Sequence, residues 1–212
     1  MNISLFSLKG GVSKTSIALN LALELDYPFM ENSKYGGISS LLNKYQHKPR
    51  AFLVDPKEEY IPLRSNAVYD FSTCVDYRSE IVLAKSDLVI IPTLHSYQDI
   101  KLTVQCINIL KGLGQNNILI VINRISTKRT RIENDQRVYS DFVDTKNSIQ
   151  QAIKSKNINF IPIRENLGWQ KSTQLGKSVL MLVESHSLMA KNYQGAVEDL
   201  TSLLTIVKQY ER

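Results

Sequence analysis

The chain has 212 residues, of which 43% are hydrophobic and 22% charged, and its formal net charge is +6 at pH 7. This length predicts one domain over residues 1–212, and the moderate basic excess is compatible with a polyanionic partner without establishing one. The longest apolar runs have the length of strands, which excludes a membrane-spanning helix, and the two cysteines show no metal-ligand or redox spacing. Because the N-terminus also lacks a signal-peptide pattern, we expect a soluble, cytoplasmic protein.

The N-terminal segment ISLFSLKGGVSKTSIALNLALEL, residues 3–25, predicts a strand, a glycine loop and a helix in that order. Two glycines let a loop curl into a concave nest of N–H groups, and the following helix adds its positive dipole end, so the unit is suited to bind a phosphate chain. Lys14 is expected to reach the β- and γ-phosphates, and the Thr15 hydroxyl to bind Mg²⁺. The full pattern G-x-x-x-x-G-K-[ST] is not met, because Leu8 and Ser13 occupy its glycine positions.

Two aspartates are candidates for the carboxylate that faces the Mg²⁺ water shell. Asp55 follows a short apolar strand predicted at 51–54, and Asp70 follows the apolar residues 67–69. Such a carboxylate must end a strand that neighbours the P-loop strand. We prefer Asp70, with Asp55 as the alternative.

The rest of the chain alternates between helix and strand. After a short strand at 28–31, the predicted elements are a helix at 79–86, a strand at 87–93, a helix at 98–112, a strand at 118–122, a helix through 142–153, a strand at 158–163, a loop at 164–169, and helices at 178–184 and 188–210. This alternation predicts an α/β fold with a doubly wound, mostly parallel sheet, helices on both faces and ligands at the carboxyl ends of the strands.

The sequence K-G-G-x-x-K-T, with Lys9 as an early second lysine, resembles the deviant Walker A motif of the ParA/MinD family. The resemblance implies a P-loop NTPase fold that binds ATP and Mg²⁺, in which Lys9 reaches the nucleotide of the other subunit across a dimer interface. Lys9, Lys14 and Asp70 are then the catalytic candidates, and Thr15 and Asp70 the metal candidates. The nucleotide candidates in the loop are Lys9, Gly10, Gly11, Val12, Ser13, Lys14, Thr15 and Ser16.

The resemblance extends more loosely along the chain. Asn123 stands where P-loop proteins of this kind often contact the base, although an asparagine that caps a turn is an equally good account. Residues 161–164, which include Pro162, and residues 176–180 resemble the segments where ParA proteins contact adenine and begin their DNA-binding surface. Where the family has D-x-D, this chain has Glu31, Asn32 and Ser33. A carboxylate that positions water is therefore missing, and we expect slow hydrolysis.

Basic residues concentrate in the C-terminal half. Residues 124–137 hold five basic and two acidic side chains. The candidates for contact with DNA are Arg129, Arg131, Arg164, Lys171 and Lys177. A solvated basic face is the alternative.

The function implied by the resemblance is that of a small plasmid-type ParA partition ATPase. ATP and Mg²⁺ would hold a homodimer that binds DNA on the nucleoid without sequence preference, and a ParB-like partner would stimulate hydrolysis. A MinD-like membrane switch is disfavoured because the C-terminal helix carries Glu198, Asp199 and Glu211 and has no basic face. An iron protein is disfavoured because Cys74 and Cys106 do not match its ligand pattern. A scaffold that binds ATP and hardly hydrolyses it remains open.

Overall fold

The computed structural model describes residues 1–32, 37–44, 50–55, 57–71, 76–133, 136–185 and 190–211. The strands in these ranges are β1 (Ile3–Leu5), β2 (Phe29–Asn32), β3 (Ala51–Leu53), β4 (Val68–Phe71), β5 (Leu88–Thr93), β6 (Ile118–Ile125), β7 (Thr130–Glu133), β8 (Gln136–Tyr139) and β9 (Asn159–Arg164). The helices are α1 (Lys14–Leu25), α2 (Gly37–Lys44), α3 (Tyr77–Lys85), α4 (Tyr97–Gly112), α5 (Ser140–Ile153), α6 (Leu167–Leu175), α7 (Val179–Ser185) and α8 (Ala190–Lys208).

Seven of the strands form one sheet in the order β3-β2-β4-β1-β5-β6-β9, and every neighbouring pair is parallel. β1 lies at the centre, with β4 on one side and β5 on the other. The chain fills one half of the sheet before it crosses to the other, and ligands bind at the strand ends where such a reversal occurs. The loop after β1 therefore lies where this fold binds its ligands.

Both faces of the sheet are buried, as the continuous apolar strands predict. Along β5, Leu88 and Ile90 point into one core and Val89 and Ile91 into the other. The first core is covered by α1, α2, α6, α7 and α8, and the second by α3, α4 and α5. The prediction of a doubly wound, mostly parallel sheet with helices on both faces is confirmed.

Two regions differ from the sequence prediction. Residues 130–133 and 136–139 form two antiparallel strands, β7 and β8, and a helix, α6, follows β9 where a loop was expected. The side chain of Asn166 begins α6 by accepting a hydrogen bond from Gly168 N at 2.7 Å. Trp169 and Ser172 bury one side of this helix. Tertiary packing thus stabilises a segment of weak helix propensity.

None of the helices in the described ranges is both long enough and apolar enough to span a bilayer.

Candidate functional site

The loop between β1 and α1 has the backbone of a phosphate-binding nest. Gly11 has a φ of +75° and Ser13 a φ of +71°. Only glycine adopts that conformation without cost, so Ser13 keeps the shape of the missing glycine at the expense of some strain. α1 begins at Lys14, directly after Ser13, with no acidic residue in its first turn. The first N–H groups of a helix lack partners within the helix, and this end attracts anions.

Lys14 lies across the inside of the loop. Its ammonium group donates to the carbonyl oxygen of Lys9 at 3.1 Å and to that of Ser7 at 3.4 Å. The side chain is largely buried, and burial lowers the pKa of Lys14 although the nearby charge of Asp70 opposes this. A buried cation whose hydrogen bonds to the described residues go to carbonyl oxygens is ready to exchange them for phosphate oxygens.

Thr15 and Asp70 meet at the start of α1. Asp70 lies on β4, in register with Leu5 at the end of β1, and its Oδ2 accepts a hydrogen bond from Thr15 Oγ1 at 2.7 Å. Its other oxygen, Oδ1, is buried and has no hydrogen-bond partner among the described residues. Burial raises the pKa of Asp70 to about 7, against the lowering effects of Thr15 and Lys14. A hydroxyl and a buried carboxylate with an unsatisfied oxygen are the oxygen ligands that Mg²⁺ prefers.

Asp55 has a different environment. It is exposed beyond β3, the edge strand, and its Oδ1 accepts from the backbone N–H of Lys57 at 2.8 Å. The geometry of the candidate metal site therefore favours Asp70.

Asn123 lies at an irregularity in β6. The register between β6 and β9 shifts between Ile122 and Ile125, and Arg124 has a φ of +56°. Bulges of this kind redirect side chains and are frequent beside functional sites. The Asn123 amide donates to the carbonyl oxygen of Val12 at 3.2 Å, and the Arg124 guanidinium donates to that of Gly11 at 3.2 Å. Both side chains thus reach the phosphate-binding loop.

A cavity of about 580 Å³ opens beside this loop. Its walls come from the start of α1, the ends of β6 and β9, and α6. They include Ser13, Ser16, Asn123, Arg124, Arg164, Glu165, Asn166, Leu167, Trp169, Gln170, Thr173 and Gln174. The volume lies in the range of small-ligand sites. Pro162, half-buried on β9, is not among these lining residues.

The sequence matches no protein-family model, and no curated protein resembles it significantly. Several solved structures, in contrast, are similar to this chain. MinD from Pyrococcus horikoshii, in complex with Mg-ADP, is 12% identical with a TM-score of 0.63, and the match covers 100% of this chain and 98% of that one. A ParA family ATPase from Chlorobium tepidum is 18% identical with a TM-score of 0.56, covering 92% and 97%. A McdA variant from Cyanothece in complex with ATP is 14% identical with a TM-score of 0.58, covering 94% and 96%.

This chain has the fold of the ParA and MinD ATPases. The predicted P-loop NTPase architecture is thereby confirmed. At identities this low, the similarity shows the fold alone, so the role of each side chain has to be argued from its own contacts.

Lys9, the early lysine of the ParA/MinD-like loop, is about one-third exposed, and its ammonium group lies 3.5 Å from Asp99 Oδ1. Asp99 is buried in the first turn of α4, where its backbone N–H donates to Ser96 Oγ at 3.2 Å. Asp99 Oδ1 has no hydrogen-bond partner in the described part of the chain, so the contact with Lys9 is an ion pair without hydrogen-bond geometry. In this structure Lys9 is therefore attracted to a carboxylate of its own subunit.

Glu31 is the only one of the three residues at the D-x-D position with a carboxylate. It lies near the end of β2, in register with Asp70, and accepts from Ser39 N at 2.8 Å and from Ser39 Oγ at 2.7 Å, which anchors α2. Its charge contributes to the raised pKa of Asp70. Ser33 lies outside the described residues.

The five candidate DNA-contacting residues divide into two groups. Arg129 pairs with Asp141 at 3.1 Å, Arg131 with Asp144 at 2.7 Å and with Glu133 at 2.8 Å, and Arg164 with Glu198 and Asp199, both at 2.8 Å. Lys171 is exposed on α6, and Lys177 donates to Ser185 Oγ at 3.4 Å; among the described residues neither lysine has a carboxylate at ion-pair distance. The basic stretch at 124–137 is thus partly neutralised by α5.

Sequence reasoning missed three contributors to the site. Arg124 was counted only as part of a basic stretch, although it directly follows Asn123 and could have been found by that adjacency. Asp99 is distant in sequence from Lys9, and only the fold brings the two together. The cavity wall formed by α6 was missed because this helix was predicted as a loop.

Proposed function

We propose that this protein is a P-loop ATPase of the ParA type that binds ATP and Mg²⁺ at the loop after β1. The observation that carries the proposal is the coincidence of Lys14, buried inside the loop, with Thr15 and Asp70. Oδ1 of Asp70 has no hydrogen-bond partner among the described residues and suits a hydrated cation. The likeness of the fold to proteins solved with ATP and with Mg-ADP supports it.

The loop residues and the candidate metal ligands have different roles in binding the nucleotide and positioning its phosphates. The backbone of residues 9–16 surrounds the phosphates and Lys14 neutralises their charge. Thr15 and Asp70 hold Mg²⁺, which when bound neutralises charge on the phosphates during transfer. The cavity bounded by Asn123 accommodates the base and sugar, and Pro162 lies one strand further out.

Turnover is expected to be slow. Positioning of the attacking water supplies much of the rate in phosphoryl transfer, and Ser33 brings no carboxylate to that task, while Glu31 is committed to Ser39. Hydrolysis by the protein alone at about 1 per second or faster, the kinase range, would contradict this part of the proposal. A partner of the ParB kind would supply the stimulation.

Assembly is the third part of the proposal. Lys9 leaves Asp99 and contacts the nucleotide of a second copy, so that ATP holds a homodimer. The dimer binds DNA through phosphate contacts that do not depend on sequence, from Lys171, Lys177, Arg129 and Arg131. Membrane binding is not part of this proposal.

The two lysines provide the experiment. Lys14→Ala should abolish tight binding of ATP, whereas Lys9→Ala should bind ATP as a monomer and fail to dimerise. Binding is measured by calorimetry and mass by light scattering, with no nucleotide, with ADP and with ATP. Lys111→Ala, at the end of α4, is the matched control and should behave like wild type. A Lys9→Ala protein that still dimerises with ATP would refute the role of Lys9, and tight ATP binding by Lys14→Ala would refute the site.

DNA binding needs its own assay. Gel-shift titrations on two unrelated duplexes should give similar affinities, require ATP and weaken steeply with salt, because phosphate contacts release counterions. Equal binding with and without ATP would contradict the proposal.

A further inference from the structure

Arg124 is fixed against the phosphate-binding loop by its backbone as well as its side chain. Its N–H donates to Asn123 Oδ1 at 2.8 Å, while the amide of the same asparagine donates to the carbonyl oxygen of Val12. Arg124 itself has a left-handed φ of +56°, which costs energy for any residue other than glycine. From this position one of its guanidinium nitrogens reaches the carbonyl oxygen of Gly11 at 3.2 Å. Strain of this kind persists where the surroundings impose it, which is common at ligand sites.

Among the described residues, no carboxylate balances the charge of Arg124. Across the described ranges, no carboxylate lies within ion-pair distance of it, and its side chain makes the single hydrogen bond to Gly11. The other arginine in the cavity wall, Arg164, is bound by two carboxylates. A guanidinium has five donors, so most of those on Arg124 remain available. An uncompensated cation beside a loop built for anions is arranged to meet negative charge.

We propose that Arg124 is a further nucleotide-binding residue, which contacts a phosphate of the nucleotide held in its own subunit. This inference rests on the proposed function, because it presumes that the loop binds a nucleotide. A phosphate is favoured over the base because the planar guanidinium matches phosphate oxygens in charge and geometry. The subunit's own nucleotide is favoured because the guanidinium already touches the loop that would hold it.

The experiment separates the charge of Arg124 from its hydrogen bond to Gly11. Arg124→Gln keeps donors for the Gly11 carbonyl and removes the charge, whereas Arg124→Lys keeps the charge. Both replacements carry the same cost for the left-handed backbone, so differences between them report on the side chain. Arg137→Gln is the matched control, because Arg137 is exposed on β8, outside the cavity wall, and donates to Thr130 Oγ1 at 2.9 Å.

Binding of Mg-ADP is measured by calorimetry, with pyrophosphate as a second probe that carries phosphates alone. Arg124→Gln should weaken both ligands about tenfold or more, as expected for the loss of a hydrogen bond to a charged group. Arg124→Lys should recover part of this loss, and Arg137→Gln should equal wild type. Unfolding of each variant without ligand shows that the fold is kept.

Three results would overturn the inference. Wild-type affinity for ADP in Arg124→Gln would show that the guanidinium makes no contact with the nucleotide. A loss for ADP without a loss for pyrophosphate would place the contact on the nucleoside. A loss in Arg124→Lys as large as that in Arg124→Gln would exclude a role for the charge. Failure of the wild type to bind ADP would instead overturn the proposed function, and the inference with it.

A facing subunit is the other possible source of the phosphate, and the same series tests it. Titrations with ATP, which holds the proposed dimer, are compared between the wild-type background and the Lys9→Ala background, which the proposed function makes monomeric. The effect of Arg124→Gln should persist there undiminished. If it disappeared, the phosphate would belong to the second copy and the inference would be wrong in its choice of subunit.

Discussion

Asp70 should make the stability of the ligand-free protein depend on pH. Its pKa is about 7 in the folded protein against an ordinary value of 3.8, because burial disfavours the ionised form. The folded state therefore holds this proton more tightly than the unfolded chain does. The resulting stabilisation is complete below pH 3.8 and is lost as the pH rises through about 7. At about 1.4 kcal/mol per pH unit, it amounts to on the order of 4 kcal/mol.

Asp70→Asn isolates this contribution, because asparagine cannot titrate and its carbonyl can still accept from Thr15. Urea unfolding is followed at intervals from about pH 5 to about pH 8, without Mg²⁺ or nucleotide. The free energy of unfolding of wild type, relative to the variant, should fall by roughly 1 kcal/mol per pH unit between about pH 5 and pH 7. Asp55→Asn is the control for the substitution itself, since it removes a carboxylate from an exposed position.

A difference between wild type and Asp70→Asn that stays constant with pH would refute the reasoning, because Asp70 would then be ionised throughout. The ionisation of Asp70 should also affect the affinity for Mg-ADP. Mg²⁺ binds the carboxylate rather than the acid, so binding of Mg-ADP should strengthen as the pH rises from about 6 to about 8 and should release a proton at the lower end.

Two further predictions concern backbone geometry, both measured by urea unfolding. Ser13→Gly should raise the free energy of unfolding by up to about 1 kcal/mol, since it relieves a left-handed φ and removes no capping hydrogen bond, whereas Ser13→Ala should give no gain. Gly168→Ala should cost about 1–3 kcal/mol, because the added Cβ would lie 3.0 Å from Asn166 Oδ1 and 3.1 Å from Ala196 Cβ. Gly112→Ala, with open space around its Cβ, should be neutral or stabilising, and equal losses at both glycines would contradict the packing argument.

The sequence predicted the sheet well because its strands are buried on both faces. An apolar run such as residues 88–93 is buried on both faces when helices cover both sides of the sheet. The pattern alone therefore predicts a strand inside the sheet. The loop was equally predictable, because its residues are adjacent in sequence. α6 was not, because LGWQKSTQL has weak helix propensity and is held by Trp169 and Ser172 in the core.

Contacts between distant segments mark the limit of sequence reasoning at the site. The pair of Lys9 with Asp99 depends on the loop after β1 lying beside the first turn of α4. The approach of Arg124 to Gly11 depends on a register irregularity in β6, and the residue types in this strand do not predict it. The ion pairs of Arg129 and Arg131 were easier to predict from the sequence, because their partners Asp141 and Asp144 lie in the next helix. A charge count over a longer stretch would have included both aspartates.

Arg164 was predicted to contact DNA, and its contacts lead to a different expectation. Its backbone N–H and its Nε both donate to Asp199, at 2.7 Å and 2.9 Å, and its terminal nitrogen donates to Gly195 O at 2.7 Å. These bonds fasten β9 to α8, and Asp199 is buried. Removing one partner of a buried pair leaves the other charge uncompensated, which costs about 3 kcal/mol or more.

Arg164→Ala should therefore lower the free energy of unfolding by about 3 kcal/mol. The double variant Arg164→Ala, Asp199→Asn should lose less stability than the sum of the two single changes, because it has no unpaired buried carboxylate. Lys171→Ala is the matched comparison, since Lys171 is exposed and has no carboxylate at ion-pair distance in the described residues. It should leave stability unchanged and weaken any DNA binding, with a smaller salt dependence. If Arg164→Ala kept wild-type stability and weakened DNA binding as much as Lys171→Ala, then its pairing with α8 would be incidental and the original assignment of Arg164 to the DNA surface would stand.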